Sequence, residues 1–478
     1  MAQRLSSGDL TILARETART PLHNATLEIF QPGPDGFGYD DVLAHIEDRI
    51  AFVPRYRQRL RTSPGRLTNP VWIDDTSFDL TYHVRRSALP RPGTTEQLRD
   101  LVARVVSRRL DRARPLWEMY VVEGLEGGRV ALFSKSHQVL VDGSRTVDIG
   151  QVLLDVDPGP RQLVREDWTP HPAPTGPGLL LGGVRDLALD PARAVDTARS
   201  TVGSVRRGAG VVGERVGAAV GLHRRRPGGD LPFTLEPSEQ RRVALVRTAL
   251  RDYRTVRRVH GGTVNDVVLA TVAGAVRTWL MTRAESVSAG RRLRALVPMS
   301  VIDEESEPTS LGSSVIGHLI DLPIGEPSPV VRLHQVSYAL RAHSETGRAV
   351  AADRIAGVAG FAPTTFHALG TRVALEDDHD VHLVLTNVPG PQFPMFAARA
   401  EMTESYPVPP LLPGFGLSIG VTSYDGSVGY GLVADREALP DVEVLAQCLR
   451  ESLDELLDTA RDDRARAPRG RATEGPRR

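Results

Sequence analysis

A run of proline and glycine near the middle of the chain limits the fold more than any other feature. From Asp167 to Gly178 the sequence reads DWTPHPAPTGPG. Such a stretch holds neither a regular helix nor a sheet ladder, because proline lacks an amide donor and fixes its own φ. It splits the 478 residues into two long blocks that each alternate helical and strand periodicity. At roughly 100–200 residues per domain, a chain of this length divides into two or three domains. The pattern predicts an α/β (α+β layered) protein of two domains joined by a long helical crossover.

Within residues 1–160, Asp40 to Ile50 reads as an amphipathic helix begun by acids. Thr94 to Leu110 sets Leu98, Leu101, Val102, Val105, Val106 and Leu110 along one helical face. A short strand follows the turn at Asn69, and strands at Trp117–Val122 and Arg129–Ser134 flank a glycine turn. Residues 161–235 carry the Pro/Gly loop and Ala-, Val- and Arg-rich helical segments over about 178–222. Residues 236–460 open with a strand at Arg242–Thr248, then a helix at Val264–Thr282 capped by Thr263. Strands at Arg294–Val297, Ile316–Leu322, His382–Thr386, Leu417–Tyr424 and Ser427–Ala434 precede a last helix at Asp441–Asp458. Residues 461–478 hold almost no large apolar side chain and are expected to be disordered.

Charge and cysteine content narrow the function. Fifty-nine basic residues balance 59 acidic ones, which argues against a nucleic-acid partner. The single cysteine, Cys448, excludes an internal disulfide framework and a Cys-rich metal site, and fits a reducing cytosol. The N-terminus lacks the apolar core of a signal peptide, and no run approaches the roughly 18–20 apolar residues of a bilayer span. The expectation is a cytoplasmic protein. Its arginine and apolar mixture near 200–226 is either a solvated linker or a peripheral contact with a membrane or lipid droplet. His379 and His382 stand three apart in a strand pattern, on opposite faces, which spoils shared metal ligation. Trp72, Trp117 and Trp279 read as core anchors.

The stretch from Ala131 to Gly143, ALFSKSHQVLVDG, runs a strand pattern into a histidine and then into an Asp-Gly turn. Rigid strand ends that open into loops are where chemistry is commonly mounted. This segment resembles the HHxxxDG signature of the CoA-dependent acyltransferases, and in particular the bacterial wax ester synthase/diacylglycerol acyltransferase family. The resemblance extends through LSSGD from Leu5, TPLHN from Thr20, PRYRQRL from Pro54, WIDD from Trp72 and LDRARPLWE from Leu110. It continues through VNDVVLA from Val264, LVPMS from Leu296, TNVPGP from Thr386 and SYDG from Ser423, covering about residues 1–460.

That resemblance implies two chloramphenicol-acetyltransferase-like domains with a tunnel between them, and transfer of a fatty acyl group from acyl-CoA to a diacylglycerol or long-chain alcohol. No cofactor is implied; acyl-CoA is a substrate. Asp142 and Gly143 would support the site, Asp142 by holding the loop and Gly143 by admitting close backbone approach. Asn265 and Asp266 would face the tunnel. His23 would either line it or serve as a hydrogen-bonded core residue, and Lys135, the only lysine, would meet CoA or serve structurally.

Aligned on Asp142, the first histidine of the signature is His137, but the second position, the family's general base, is Gln138. A carboxamide has no nitrogen that titrates near neutral pH. The sequence therefore leaves three outcomes: an acyl-CoA-dependent O-acyltransferase of reduced activity, one that recruits a different base from elsewhere, or a relative that binds acyl-CoA or lipid without turnover.

Overall fold

The computed structural model describes residues 3–34, 36–62, 69–140, 149–159, 168–175, 177–178, 231–301, 312–346, 354–356, 371–372, 375 and 381–466. The crossover helices expected after residue 178, the motif residues Asp142 and Gly143, and His379 lie outside these.

The first block holds α1 (Ser7–Arg15), β1 (His23–Gln31), α2 (Tyr39–Arg49), β2 (Gln58–Arg61), β3 (Val71–Asp74), β4 (Val84–Ala88), α3 (Thr95–Val106), β5 (Trp117–Glu123) and β6 (Val130–His137). The second begins with β7 (Arg241–Ala249), α4 (Leu250–His260), α5 (Val264–Thr282), β8 (Leu293–Val301), β9 (Gly312–Leu322) and α6 (Pro329–Thr346). It continues with β10 (Arg354–Ala356), β11 (Leu383–Val388), β12 (Phe396–Ala397), β13 (Ala400–Val408), β14 (Leu417–Tyr424), β15 (Ser427–Asp435) and α7 (Val442–Arg466). Local chemistry explains several of these boundaries. Ser6 with Asp9, Thr94 with Gln97, and Thr263 with Asp266 each form a reciprocal capping box that meets the free amides of a first helical turn.

Two mixed sheets result. The first runs β12-β13-β1-β6-β5-β4 and the second β10-β9-β8-β11-β14-β15-β7, with β2 and β3 forming a separate hairpin. The sheets do not divide where the chain divides. The unit expected over 236–460 gives β12 and β13 to the first sheet, where β13 pairs antiparallel with β1. Glycine makes this possible. A Cβ on Gly431 would overlap the Pro407 carbonyl oxygen, one on Gly429 would overlap that of Ser405, and one on Gly420 would lie 2.9 Å from the Pro407 Cβ. Gly420 and Gly431 are cross-strand partners, so β14 and β15 present a flat facet on which β13 rests, backbone against backbone.

The expected tail also needs correction. α7 runs to Arg466, into the segment expected to be disordered, because charge alone does not end a helix. Arg461 pairs with Asp458 one turn earlier at 3.0 Å. α5 is long and apolar enough to cross a membrane by length and composition, contrary to expectation, but most of it is buried inside the protein. It is a core helix. Trp72, Trp117 and Trp279 are all buried, and the Trp117 indole donates to the Tyr56 carbonyl at 2.8 Å.

Candidate active site

Three distant stretches of sequence meet where β6 ends. His137 is its last residue, and Gln138 begins the turn beyond. The Gln138 amide donates to the Leu22 carbonyl at 3.0 Å and the His137 amide to the Leu116 carbonyl at 2.9 Å. The segments TPLHN and LDRARPLWE thus grip the motif from either side. Strand register sets the rest: His23 lies opposite His137, and Asn24 opposite Ser136. All four are buried.

The hub of this cluster is Glu16, which the sequence reading missed. Its carboxylate is 1% exposed and lies 3.3 Å from His23 Nε2 and 3.5 Å from His137 Nε2. Arg109 meets it at 3.2 Å and Arg112 Nε at 3.0 Å. Burial pushes this carboxyl up, but hydrogen bonding from the His137 and His23 imidazoles outweighs it and holds the group well below the usual carboxylate range. A signal for Glu16 was present. It is the C-cap of α1, where the helix dipole disfavours an acid, and such local conflicts mark functional or buried-network positions.

Both histidines are turned inward. His137 Nδ1 accepts the Val139 amide at 3.1 Å, which puts the ring proton of a neutral imidazole on Nε2, facing Glu16. His23 Nε2 is approached by the Leu110 amide at 3.3 Å as well as by Glu16, and it cannot accept from one and donate to the other at once. Burial lowers the His23 pKa to about 3, against the raising effect of Glu16. His23 is therefore neutral at physiological pH, and its Nδ1 has no partner among the described residues.

Gln138 is fully buried, and its Nε2 donates to Asn24 Oδ1 at 2.8 Å. Among the described residues Gln138 Oε1 and Asn24 Nδ2 have no partner. The carboxamide can present an acceptor to a hydroxyl but cannot remove its proton.

The remaining expected site residues lie elsewhere or act otherwise. Lys135 is 1% exposed and donates to the carbonyls of Val105 at 3.2 Å and Arg108 at 3.0 Å, with Glu118 at 3.5 Å. It ties the end of α3 to β6, and burial pulls its pKa down, against Glu118. Asp266 accepts from the Thr263 amide at 2.9 Å and the Ser337 hydroxyl at 2.7 Å, which commits it to the α5 cap. Asn265 accepts from the Asn387 side chain at 2.8 Å, joining two of the motif stretches in the second half. His382 accepts the Arg294 amide at 3.1 Å. Among the described residues no group of three His, Cys, Asp or Glu is placed to hold a metal.

Solved structures share this two-sheet fold. The first condensation domain of the CDA synthetase has this fold, with a TM-score of 0.54 and 14% identity over 96% of this chain and 97% of that one. A wax ester synthase/diacylglycerol acyltransferase from Marinobacter aquaeolei VT8 matches at a TM-score of 0.65 and 26% identity, over 96% of this chain and 100% of that one. Residues 5–268 match the wax ester synthase/diacylglycerol acyltransferase catalytic domain, and residues 311–457 the WS/DGAT C-terminal domain. The "Probable diacyglycerol O-acyltransferase tgs2" of Mycobacterium tuberculosis is 30% identical over 456 residues, 94% of this chain and 97% of the relative. A second protein of that organism, "Probable diacyglycerol O-acyltransferase tgs3", is 40% identical over 260 residues, 54% of this chain and 96% of the relative. The chain belongs to the wax ester synthase/diacylglycerol acyltransferase family.

Proposed function

We propose that this protein is an acyl-CoA-dependent O-acyltransferase that esterifies a diacylglycerol or a long-chain alcohol, and that its turnover is slow. The alcohol oxygen attacks the thioester carbonyl, the C–S bond breaks, and CoA leaves as the thiol. A neutral alcohol needs its proton accepted as it attacks, and general-base catalysis typically contributes about 10²–10⁴-fold. Gln138 supports this reading more than any other residue: its carboxamide stands at the base position and can only orient the hydroxyl through Oε1. His137 does not replace it, since one ring nitrogen is held by the Val139 amide and the other faces Glu16. Acceptors of this kind reside in lipid phases, so the protein would work at a membrane or droplet surface.

The test is CoA release from palmitoyl-CoA with dioleoylglycerol or hexadecanol. The native chain should be weak and Gln138→His faster by about 10²–10⁴-fold; equal rates would defeat the reading. The same glutamine favours a second reading, a lipid-binding family member without turnover. Palmitoyl-CoA binding with no release from either protein would select it.

A further inference from the structure

The two faces of the first sheet differ along its middle. Toward α3 the central strands present Ala25, Leu27 and Phe133, which pack with Leu98 and Val102. On the opposite face the same strands are polar. Asn24 lies opposite Ser136, Thr26 opposite Ser134, and Ser405 of β13 opposite Glu28, while Gln138 joins the row through its bond to Asn24. From Asn24 to Glu28 the row spans about 14 Å, at roughly 3.4 Å per residue.

This row is inside the protein. Exposure is 1% at Asn24, 5% at Ser136, 0% at Gln138 and 4% at Ser405. Thr26 and Ser134 satisfy one another at 2.7 Å. At the two ends, hydrogen-bonding capacity is unmet among the described residues: Asn24 Nδ2, Ser136 Oγ and Gln138 Oε1 lack partners at one end, and Ser405 Oγ at the other. Buried polar groups are nearly always paired, and a cluster of exceptions calls for an explanation. The apolar residues of this face, among them Phe30, Trp117 and Leu132, belong to one cluster with Leu296 and Val384 of the second sheet. A polar row bordered by an apolar cluster matches an uncharged molecule that carries several oxygens on hydrocarbon chains.

We infer that this row is the acceptor head-group site and that it selects a diacylglycerol over a simple long-chain alcohol. The inference rests on the reading that the chain acylates an alcohol. Asn24 N–H and Ser136 O–H supply donors for an ester carbonyl, and Gln138 Oε1 accepts from the free hydroxyl. A long-chain alcohol brings one hydroxyl and leaves the donors unmet, and sites with unpaired buried groups discriminate strongly against ligands that lack the matching atoms.

The experiment compares kcat/KM for 1,2-dioctanoylglycerol and for hexadecanol in the native chain, Ser136→Ala and Ser405→Ala, by CoA release from palmitoyl-CoA. The diacylglycerol-to-hexadecanol ratio should fall about 5–10-fold in Ser136→Ala, the loss of one buried hydrogen bond, and stay in place in Ser405→Ala, whose hydroxyl lies at the far end of the row. An unchanged ratio in Ser136→Ala overturns the inference. So does an equal loss with both acceptors, which would place the thioester arm in the row. If neither the native chain nor Gln138→His releases CoA, the transferase reading fails, and calorimetric binding then tests the row alone. The native chain should bind dioctanoylglycerol about tenfold more tightly than hexadecanol, an advantage that Ser136→Ala removes; equal affinities overturn the inference.

Discussion

The core of the second sheet and the end of the first differ in how their buried polar groups are met. In that core, polar groups close on one another: Tyr253 and Tyr430 share a hydrogen bond at 2.7 Å, and Thr248 completes the chain at 2.8 Å. Around them α5 is buried on most sides, packed with residues such as Val268, Val272 and Trp279. In the first sheet the ends of β1 and β6 bring together Glu16, His23, His137, Asn24 and Gln138, and several of their atoms remain unmet. The comparison separates scaffold from site. Closed polar networks rigidify a core, and open ones are held ready for something that arrives.

The largest expected effect sharpens that contrast. Gln138→His restores a titratable group at the open end, and its gain of about 10²–10⁴-fold corresponds to about 3–5 kcal/mol off the barrier. Gly431→Val breaks the comparison by forcing the sheets apart, because the new side chain meets the Pro407 carbonyl. A loss of roughly 3 kcal/mol or more is expected in urea denaturation; an unmoved midpoint would show that the facet tolerates separation.

Acid should then unsettle the first sheet before the second. His23 titrates near 3 in the folded chain against about 6.5 when unfolded. Its contribution is therefore complete above pH 6.5 and is lost as the pH falls toward 3, by roughly 2–4 kcal/mol. Glu16, also depressed, adds to the loss below the ordinary carboxylate range. Thermal unfolding across pH 7 to 4 should show this fall, and His23→Gln should flatten its upper part. The smallest effect concerns Lys135. Lys135→Met should cost about 1–3 kcal/mol through the two helix-end carbonyls and Glu118. It should leave the KM for palmitoyl-CoA in place; a raised KM would return the lysine to the substrate.

Much of this was legible in the sequence wherever the signal is local. The helix Val264–Thr282 with its Thr263 cap, and the strand Leu417–Tyr424, appear with the bounds the residues suggested, because capping and periodicity are properties of neighbours. β1 was missed although HNATLEIFQ alternates. Alternation reads as one wet face, and here both faces are buried. β13 escaped for another reason: its partner lies several hundred residues earlier in the chain, and no short window reveals which sheet a strand joins. The site followed the same rule. His137 and Gln138 were marked by the resemblance of one local stretch to the HHxxxDG signature, whereas Glu16 and Asn24 acquire their roles only when α1 and β1 are laid beside β6. Lys135 stood out as a solitary lysine, and only the fold shows that its ammonium meets the carbonyls of Val105 and Arg108.

The passage of β13 between sheets has a consequence for dissecting the gene. An N-terminal fragment stopped anywhere before residue 396 would leave one long edge of β1 without its neighbour, a row of bare amides and carbonyls of the kind that recruits other chains into aggregates. The matching C-terminal piece would carry an orphan ribbon glued to three glycines. Neither half should survive purification alone, and co-expression of both should rescue them together.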